Sequence, residues 1–345
     1  MLKSPDEQMM RAALNEARKA VGSTSPNPMV GAVIAVDEKI LAKGHHRRAG
    51  ESHAEIECLS VFNQPIPHDA VLYVTLEPCS TRGRTPACTR AIIEAGVKNL
   101  VIGATDPNPR HAGRGIRILR EAGIEVRSGI LDLECAELNE SYNKWIQTGQ
   151  PFVIAKCAMS LDGRLTCPPG EDRWITRAEA RTHAQKLRGQ VDAILIGAET
   201  LRADNPRLTV RDTRNAKQPW RVVLSRSGRL PRNAHVFTDR FSDRTLVYKN
   251  KSLDAVLRDL GRKEITSVLI EGGGDVLGQA LDAHLVDKAQ IYLAPVFTGG
   301  PVVAFAGRGT TSTRNSASLN RIRYEKIDGD ICLSGSVRYD VNISE

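Results

Sequence analysis

Aromatic residues are scarce: six Phe, six Tyr and three Trp make up 4% of the 345 residues. A platform for single-stranded nucleic acid needs rings on which bases stack, so that class is disfavoured. Long apolar runs are missing as well. The longest nearly unbroken one, Met29 to Val36, is far too short to span a bilayer. The first twenty residues carry Asp6, Glu7 and Glu16 where a secretory leader is apolar. A cytoplasmic protein with no membrane partner is expected. The seven cysteines, at 58, 79, 88, 135, 157, 167 and 332, are odd in number and unevenly spread. A chain this long buries a core without staples, so reduced thiols, some of them metal ligands, are expected rather than a disulfide framework.

What is present is ordinary globular usage, 41% hydrophobic and 26% charged, which excludes a disordered or fibrous chain. The net charge of +8 is not shared evenly. Residues 1–149 hold 18 basic and 18 acidic side chains, and residues 150–345 hold 30 and 22. Residues 150–263 alone hold 23 and 12. Such a field draws phosphorylated small molecules or nucleic acid, and it also fits a solvated basic surface; charge alone does not choose.

Ser4-Pro5-Asp6-Glu7 forms a capping box and predicts a helix to about Val21. After the turn-rich Gly22 to Pro28, strands are expected at Val30–Val36 and Lys39–Gly44. A helix follows at Ala54–Phe62, a buried strand at Val71–Leu76, and a helix from Pro86 to Ala95. Then come a strand at Val97–Ala104, a helix at Gly115–Ala122, a short strand at Glu125–Gly129 and a closing helix at Leu133–Ile146. Alternation at this spacing predicts a largely parallel sheet covered on both faces. Thr148-Gly149-Gln150-Pro151 reads as a boundary, giving domains 1–149 and 150–345. The second repeats the alternation. Strands are expected at Phe152–Met159, Ala193–Gly197, Arg221–Ser225, Thr245–Tyr248, Ser267–Glu271 and Ala289–Ala294. Helices are expected at Arg177–Leu187, Leu253–Leu260 and Val276–His284.

Three segments of the first domain carry chemistry: His53-Ala54-Glu55, Glu77-Pro78-Cys79, and Cys88. One imidazole and two thiolates make a charge-neutral tetrahedral zinc site with a fourth position for water. Glu55 then acts as the base that takes a proton from that water and delivers it to a departing amine. The usual signature is H-x-E followed by P-C-x-x-C, and here eight residues separate Cys79 from Cys88, so spacing alone leaves the metal assignment open. Cys58 and Cys135 sit on apolar helical faces and read as packing residues. His45 and His46 read as surface or supporting groups, and His111 as a minor substrate contact.

The run Thr75-Leu76-Glu77-Pro78-Cys79-Ser80, then Gly83-Arg84-Thr85-Pro86 and Cys88, resembles the pyrimidine deaminase of riboflavin biosynthesis, which carries the longer gap between its cysteines. Ser25-Pro26-Asn27-Pro28-Met29-Val30-Gly31, Asp106-Pro107-Asn108-Pro109 and Gly113-Arg114-Gly115 also fit. The resemblance implies one zinc ion per chain on His53, Cys79 and Cys88, with Glu55 as the proton shuttle and Asn27 on the pyrimidine or ribose.

In the second domain, Lys156-Cys157-Ala158-Met159-Ser160-Leu161-Asp162-Gly163 resembles the opening strand of the reductase fused to that deaminase. Trp174-Ile175-Thr176, Leu187-Arg188, Thr200 to Pro206, Leu208 to Arg211 and Glu271-Gly272-Gly273 continue the likeness in order. The whole is similar to the bifunctional diaminohydroxyphosphoribosylaminopyrimidine deaminase / 5-amino-6-(5-phosphoribosylamino)uracil reductase family. That implies an α/β fold: a cytidine-deaminase-like three-layer domain followed by a dihydrofolate-reductase-like α/β domain. It also implies NADPH as cofactor and a phosphorylated pyrimidine as substrate. By position, Ala158, Trp174, Thr200, Asp204, Ser225 and Gly273 fall on the NADPH side, and Arg188, Leu208, Arg211 and Glu271 on the substrate side.

Without the family these segments say less. Gly272-Gly273-Gly274 can hold a phosphate at a helix N-terminus or make a plain tight turn, and it is not G-x-G-x-x-G. Trp174 reads equally as a core aromatic. Lys156 is either beside the reacting ribose or an outward strand residue. Asp172 replaces the family's usual Ser, and a carboxylate repels phosphate, so it is not expected to be a direct ligand. Two rivals remain, a zinc-dependent nucleic-acid base deaminase with an accessory domain and a silent scaffold. The neutral first domain argues against the former, so no nucleic-acid partner is expected. A homo-oligomer is expected.

Overall fold

The Ser4 hydroxyl accepts a hydrogen bond from the Glu7 backbone N–H at 3.3 Å and starts α1 (Pro5–Arg18). The computed structural model describes residues 4–81, 87–167, 174–211 and 217–339. Asp172 and the Gly83–Pro86 motif lie outside the described residues. The chain divides into two compact units, at Gly149 and Gln150.

The first unit continues with β1 (Gly31–Val36), β2 (Lys39–His45), α2 (Ala54–Phe62), β3 (Val71–Leu76), α3 (Cys88–Glu94), β4 (Asn99–Ala104), α4 (Arg114–Glu121), β5 (Glu125–Ser128), α5 (Asp132–Leu138) and α6 (Glu140–Thr148). The strand order is β2-β1-β3-β4-β5. β1 is antiparallel to both β2 and β3, while β3, β4 and β5 are parallel. The sheet is therefore mixed rather than largely parallel. A two-residue turn joins β1 to β2, too short for a parallel crossover. Glycines let helices approach both faces. A Cβ on Gly31 would lie 2.0 Å from the Ala13 carbonyl oxygen of α1, and one on Gly44 would lie 2.4 Å from the Cys58 nitrogen of α2. Three layers result, with a core of Val, Ile, Leu and Ala between them.

The expected closing helix is two helices. Asn139 (φ −114°, ψ 26°) leaves the helical region between α5 and α6. Its side chain instead brackets Met29, Oδ1 accepting from the Met29 N–H at 2.7 Å and Nδ2 donating to the Met29 carbonyl at 2.9 Å. Side-chain bonding to backbone of this kind competes with helix continuation.

The second unit comprises β6 (Phe152–Ser160), α7 (Ala178–Arg188), β7 (Ala193–Gly197), α8 (Ala198–Asp204), β8 (Trp220–Ser225), α9 (His235–Thr238), β9 (Thr245–Lys249), α10 (Leu253–Arg262), β10 (Ser267–Ile270), α11 (Gly274–Asp282), β11 (Lys288–Ala294), β12 (Ala317–Ile327) and β13 (Asp330–Tyr339). The strand order is β12-β13-β11-β6-β10-β7-β8-β9. The stretch from β11 to β9 is parallel, and the β12–β13 hairpin joins it antiparallel. Sequence pattern alone predicts neither the hairpin nor α8 and α9. The hairpin turn reaches α7: the fully buried Asp330 accepts from the Arg177 N–H at 2.7 Å, capping a helix whose own N-cap side chain makes no capping bond. Among the described residues no helix is long and apolar enough to cross a membrane.

Candidate functional site

In the first unit, His53 is the N-cap residue of α2, Cys79 follows the carboxyl end of β3, and Cys88 opens α3. The close approach at Gly44 presses α2 onto β2 and so places His53. His53 Nδ1 lies 3.2 Å from Cys88 Sγ and 3.6 Å from Cys79 Sγ. All three ligand atoms fall within 4.8 Å of one another. A tetrahedral zinc ion with bonds of about 2.0 Å to nitrogen and about 2.3 Å to sulfur holds such atoms roughly 3.5 Å apart, so the set fits the ion.

The electrostatics point the same way. The hydrogen bond from Cys88, helped by His53, pulls the Cys79 thiol down to about 4. Its bond to Cys79, together with burial, pushes the Cys88 thiol well up. The bond to Cys79 raises His53 above the ordinary imidazole value. Three crowded donor atoms that share protons in this way could hold a divalent cation. Glu55, in the first turn of α2, is buried, and burial raises its carboxyl. It faces the Cys88 thiol and stays outside the three-atom set.

A loop from before β1 forms another wall. Asn27 Nδ2 donates to His46 Nε2 at 3.1 Å, and His46 Nδ1 lies 2.9 Å from the Ser52 carbonyl. His46 is buried, with its ring edge-on to His53. Burial lowers its pKa, keeping the ring neutral. Beyond the end of β4, Asp106 accepts from the Asn108 N–H at 2.9 Å and from the Tyr142 hydroxyl at 3.2 Å. The sequence motifs assign Tyr142 and Asn139 no role. Their partners lie 36 and 110 residues away in sequence, and no local signal marks them.

In the second unit the carboxyl ends of β6, β10, β7 and β8 lie side by side, the edge where open parallel sheets bind ligands. Ala158 lies near the end of β6, Ser225 ends β8, and Thr200 sits in α8 just after β7. Gly273 (φ 60°) precedes α11. A Cβ on Gly272 would lie 3.0 Å from Thr200 Oγ1, and one on Gly274 1.8 Å from the Val303 carbonyl oxygen. Only glycines permit this cradle, whose backbone N–H groups suit a phosphate, so the loop fits a dinucleotide.

Arg188, at the end of α7, and Glu271, after β10, pair directly and are both nearly buried. Burial alone would raise the Glu271 carboxyl, but the charges of Arg188, Lys156 and Arg211 hold it below the usual range. Lys156 is thus a member of this cluster rather than an outward strand residue, its ammonium 5.7 Å from the Tyr292 ring centroid. Trp174 is 44% exposed with the Arg181 guanidinium 5.0 Å from its ring, which removes the core-aromatic alternative. Asp204, the last residue of α8, is exposed. Leu208 has a positive φ of 52° and is buried in the core.

A histidine–dithiol metal receptor beside a buried carboxylate, and a glycine cradle at a parallel-sheet edge, define a zinc-dependent deaminase joined to a dinucleotide-type reductase. Known proteins agree. Residues 3–104 match the cytidine and deoxycytidylate deaminase zinc-binding region, and residues 151–333 match the RibD C-terminal domain. The chain is 38% identical to the riboflavin biosynthesis protein RibD of Bacillus amyloliquefaciens, over 95% of each chain. It is 38% identical to that of Escherichia coli strain K12, over 85% of this chain and 89% of the other. The Acinetobacter baumannii RibD structure superposes with a TM-score of 0.88 at 34% identity, covering 97% of this chain and 99% of that one. The deaminase/reductase of Thermotoga maritima superposes at 0.86 with 32% identity and the same coverage. The chain belongs to the riboflavin biosynthesis protein RibD family, and it is a bifunctional deaminase and reductase.

Proposed function

We propose that residues 1–149 remove the ring amine of 2,5-diamino-6-ribosylamino-4(3H)-pyrimidinone 5-phosphate, and that residues 150–345 then reduce the ribosyl side chain to ribityl with NADPH. The observation that carries this reading is the convergence of His53, Cys79 and Cys88 within 4.8 Å, beside buried Glu55. His53, Cys79 and Cys88 would hold the zinc ion, which when bound would supply an acidified water as nucleophile. Glu55 would hold the proton that moves from the attacking water to the departing amine, so that water and the amino group become a ring carbonyl and ammonia. A carboxyl raised by burial is suited to both halves of that transfer. Asn27, held by His46, contacts the pyrimidine or ribose.

In the second unit NADPH, when bound, would supply a hydride to the sugar C1′, with the bond from C1′ to the ring oxygen breaking and a proton completing the hydroxyl at that oxygen. Gly273, Thr200, Ser225, Ala158, Trp174 and Asp204 bind the cofactor. Arg188, Leu208, Arg211 and Glu271 bind the substrate, with Lys156 beside it. The basic excess of residues 150–263 suits two phosphorylated ligands. The neutral charge of residues 1–149 supports a free pyrimidine over a nucleic-acid base. The chain works in the cytoplasm as a homo-oligomer. Metal analysis combined with an NADPH-oxidation assay on the deaminated product tests the reading. One zinc per chain and substrate-dependent NADPH consumption are expected; a metal-free active deaminase would overturn it.

A further inference from the structure

Glu77 stands in the Glu77-Pro78-Cys79 run, yet neither the metal set nor the proton path uses it. Its side chain is buried. Both oxygens are engaged by backbone N–H groups of one distant segment. Oε2 accepts from Asp106 at 3.2 Å and from Gly113 at 2.9 Å. Oε1 accepts from Gly115 at 2.8 Å and from Ile116 at 3.3 Å. Gly113, the N-cap of α4, makes no side-chain capping bond of its own, so Glu77 caps this helix from another part of the chain. The fit is tight: a Cβ on Gly115 would lie 2.3 Å from the Pro78 carbonyl oxygen and 3.1 Å from Glu77 Oε1.

We infer that Glu77 is a positioning residue of the deaminase, its carboxylate fixing the loop of residues 106–114 against the segment that carries Cys79 and so setting substrate affinity. The loop has the character of a ligand wall. Asp106 is buried, and His111 Nδ1 is a buried ring nitrogen with no hydrogen-bond partner. Arg110 and Arg114 are exposed cations suited to the 5-phosphate of the substrate. Glu77 bonds to none of these side chains; it holds the backbone from which they project.

The inference rests on the deaminase reading, and wild-type protein measured alongside separates the two. Glu77→Gln replaces one acceptor oxygen with an amide that faces N–H groups, so at least two of the four bonds are lost. Gly115→Ala pushes the loop off the same clasp with Glu77 intact. In both variants KM for the phosphorylated pyrimidine should rise about tenfold or more while kcat changes less than about threefold. Zinc should stay at one per chain, and amide hydrogen exchange at Gly113, Gly115 and Ile116 should quicken in Glu77→Gln. An unchanged KM overturns the inference. Loss of zinc from both variants also overturns it, because the carboxylate would then serve the metal segment. A wild-type chain that fails to release ammonia sinks the deaminase reading itself.

Discussion

Arg188 grips Glu271 through two parallel hydrogen bonds, Nε to Oε1 at 2.7 Å and Nη2 to Oε2 at 2.6 Å. In the sequence the two stand as separate contacts for substrate; the structure makes them one planar fork-to-fork unit. Nη1 adds a bond to the Thr209 carbonyl at 3.3 Å, so the pair also ties α7 and β10 to the segment before Arg211.

Breaking this pair from one side strands a buried charge. Arg188→Ala should destabilise the second unit by about 3–5 kcal/mol and abolish NADPH oxidation, as read by urea unfolding and absorbance at the nicotinamide band. Arg188→Met combined with Glu271→Leu should recover most of the stability and none of the activity. Recovery of activity in that double variant would show that the pair only packs.

Glu55→Ala should keep one zinc per chain and release no ammonia, because the carboxylate lies outside the three-atom metal set. Metal analysis and an ammonia assay on the same sample decide it. Normal deamination would remove Glu55 from the proton path.

Cys88→Ala should cut zinc content sharply. In the wild-type chain, apparent zinc affinity should climb with pH between about 6 and 8. The sign follows from the metal-free site: Cys88 and His53 both hold their protons above their ordinary values, and a metal must displace them. The slope should be about tenfold per pH unit for each proton released. Competition against a chromophoric chelator measures it, and a flat profile contradicts the ligand set.

Gly44→Ala should cost about 2 kcal/mol or more, since the new methyl meets the α2 backbone at 2.4 to 2.8 Å with no flexible side chain to yield. The helix it displaces carries His53 at its start, so zinc affinity should fall with stability. Thermal unfolding and zinc titration would report both, and unchanged zinc affinity would uncouple the helix contact from the metal site.

Much of this is legible in the sequence because the signals are local. Strands such as Val71–Leu76 and Ala193–Gly197 are short apolar runs bounded by turns, and they appear where expected. The metal triplet is legible in residue type, while its convergence needs the fold. What escapes is long-range or polar. The break at Asn139 answers to Met29, 110 residues away. β12 runs along a sheet edge with most of its residues exposed, so its sequence shows little apolar alternation. The sequence places Arg221 at the start of a strand and gives it no partner, yet it is buried against Asp239 at 2.8 Å and the Val236 carbonyl at 2.8 Å.

The placement of β13 sets an order of assembly during synthesis. The first unit has all its strands within the first 149 residues and can close while the ribosome is still translating the second. The second cannot finish on the same schedule, for β13 must slot between β11 and β12 and bring Asp330 to α7. A nascent chain halted before residue 330 would therefore carry a finished hydrolytic half and a reductive half whose Arg188-bearing helix still awaits its cap.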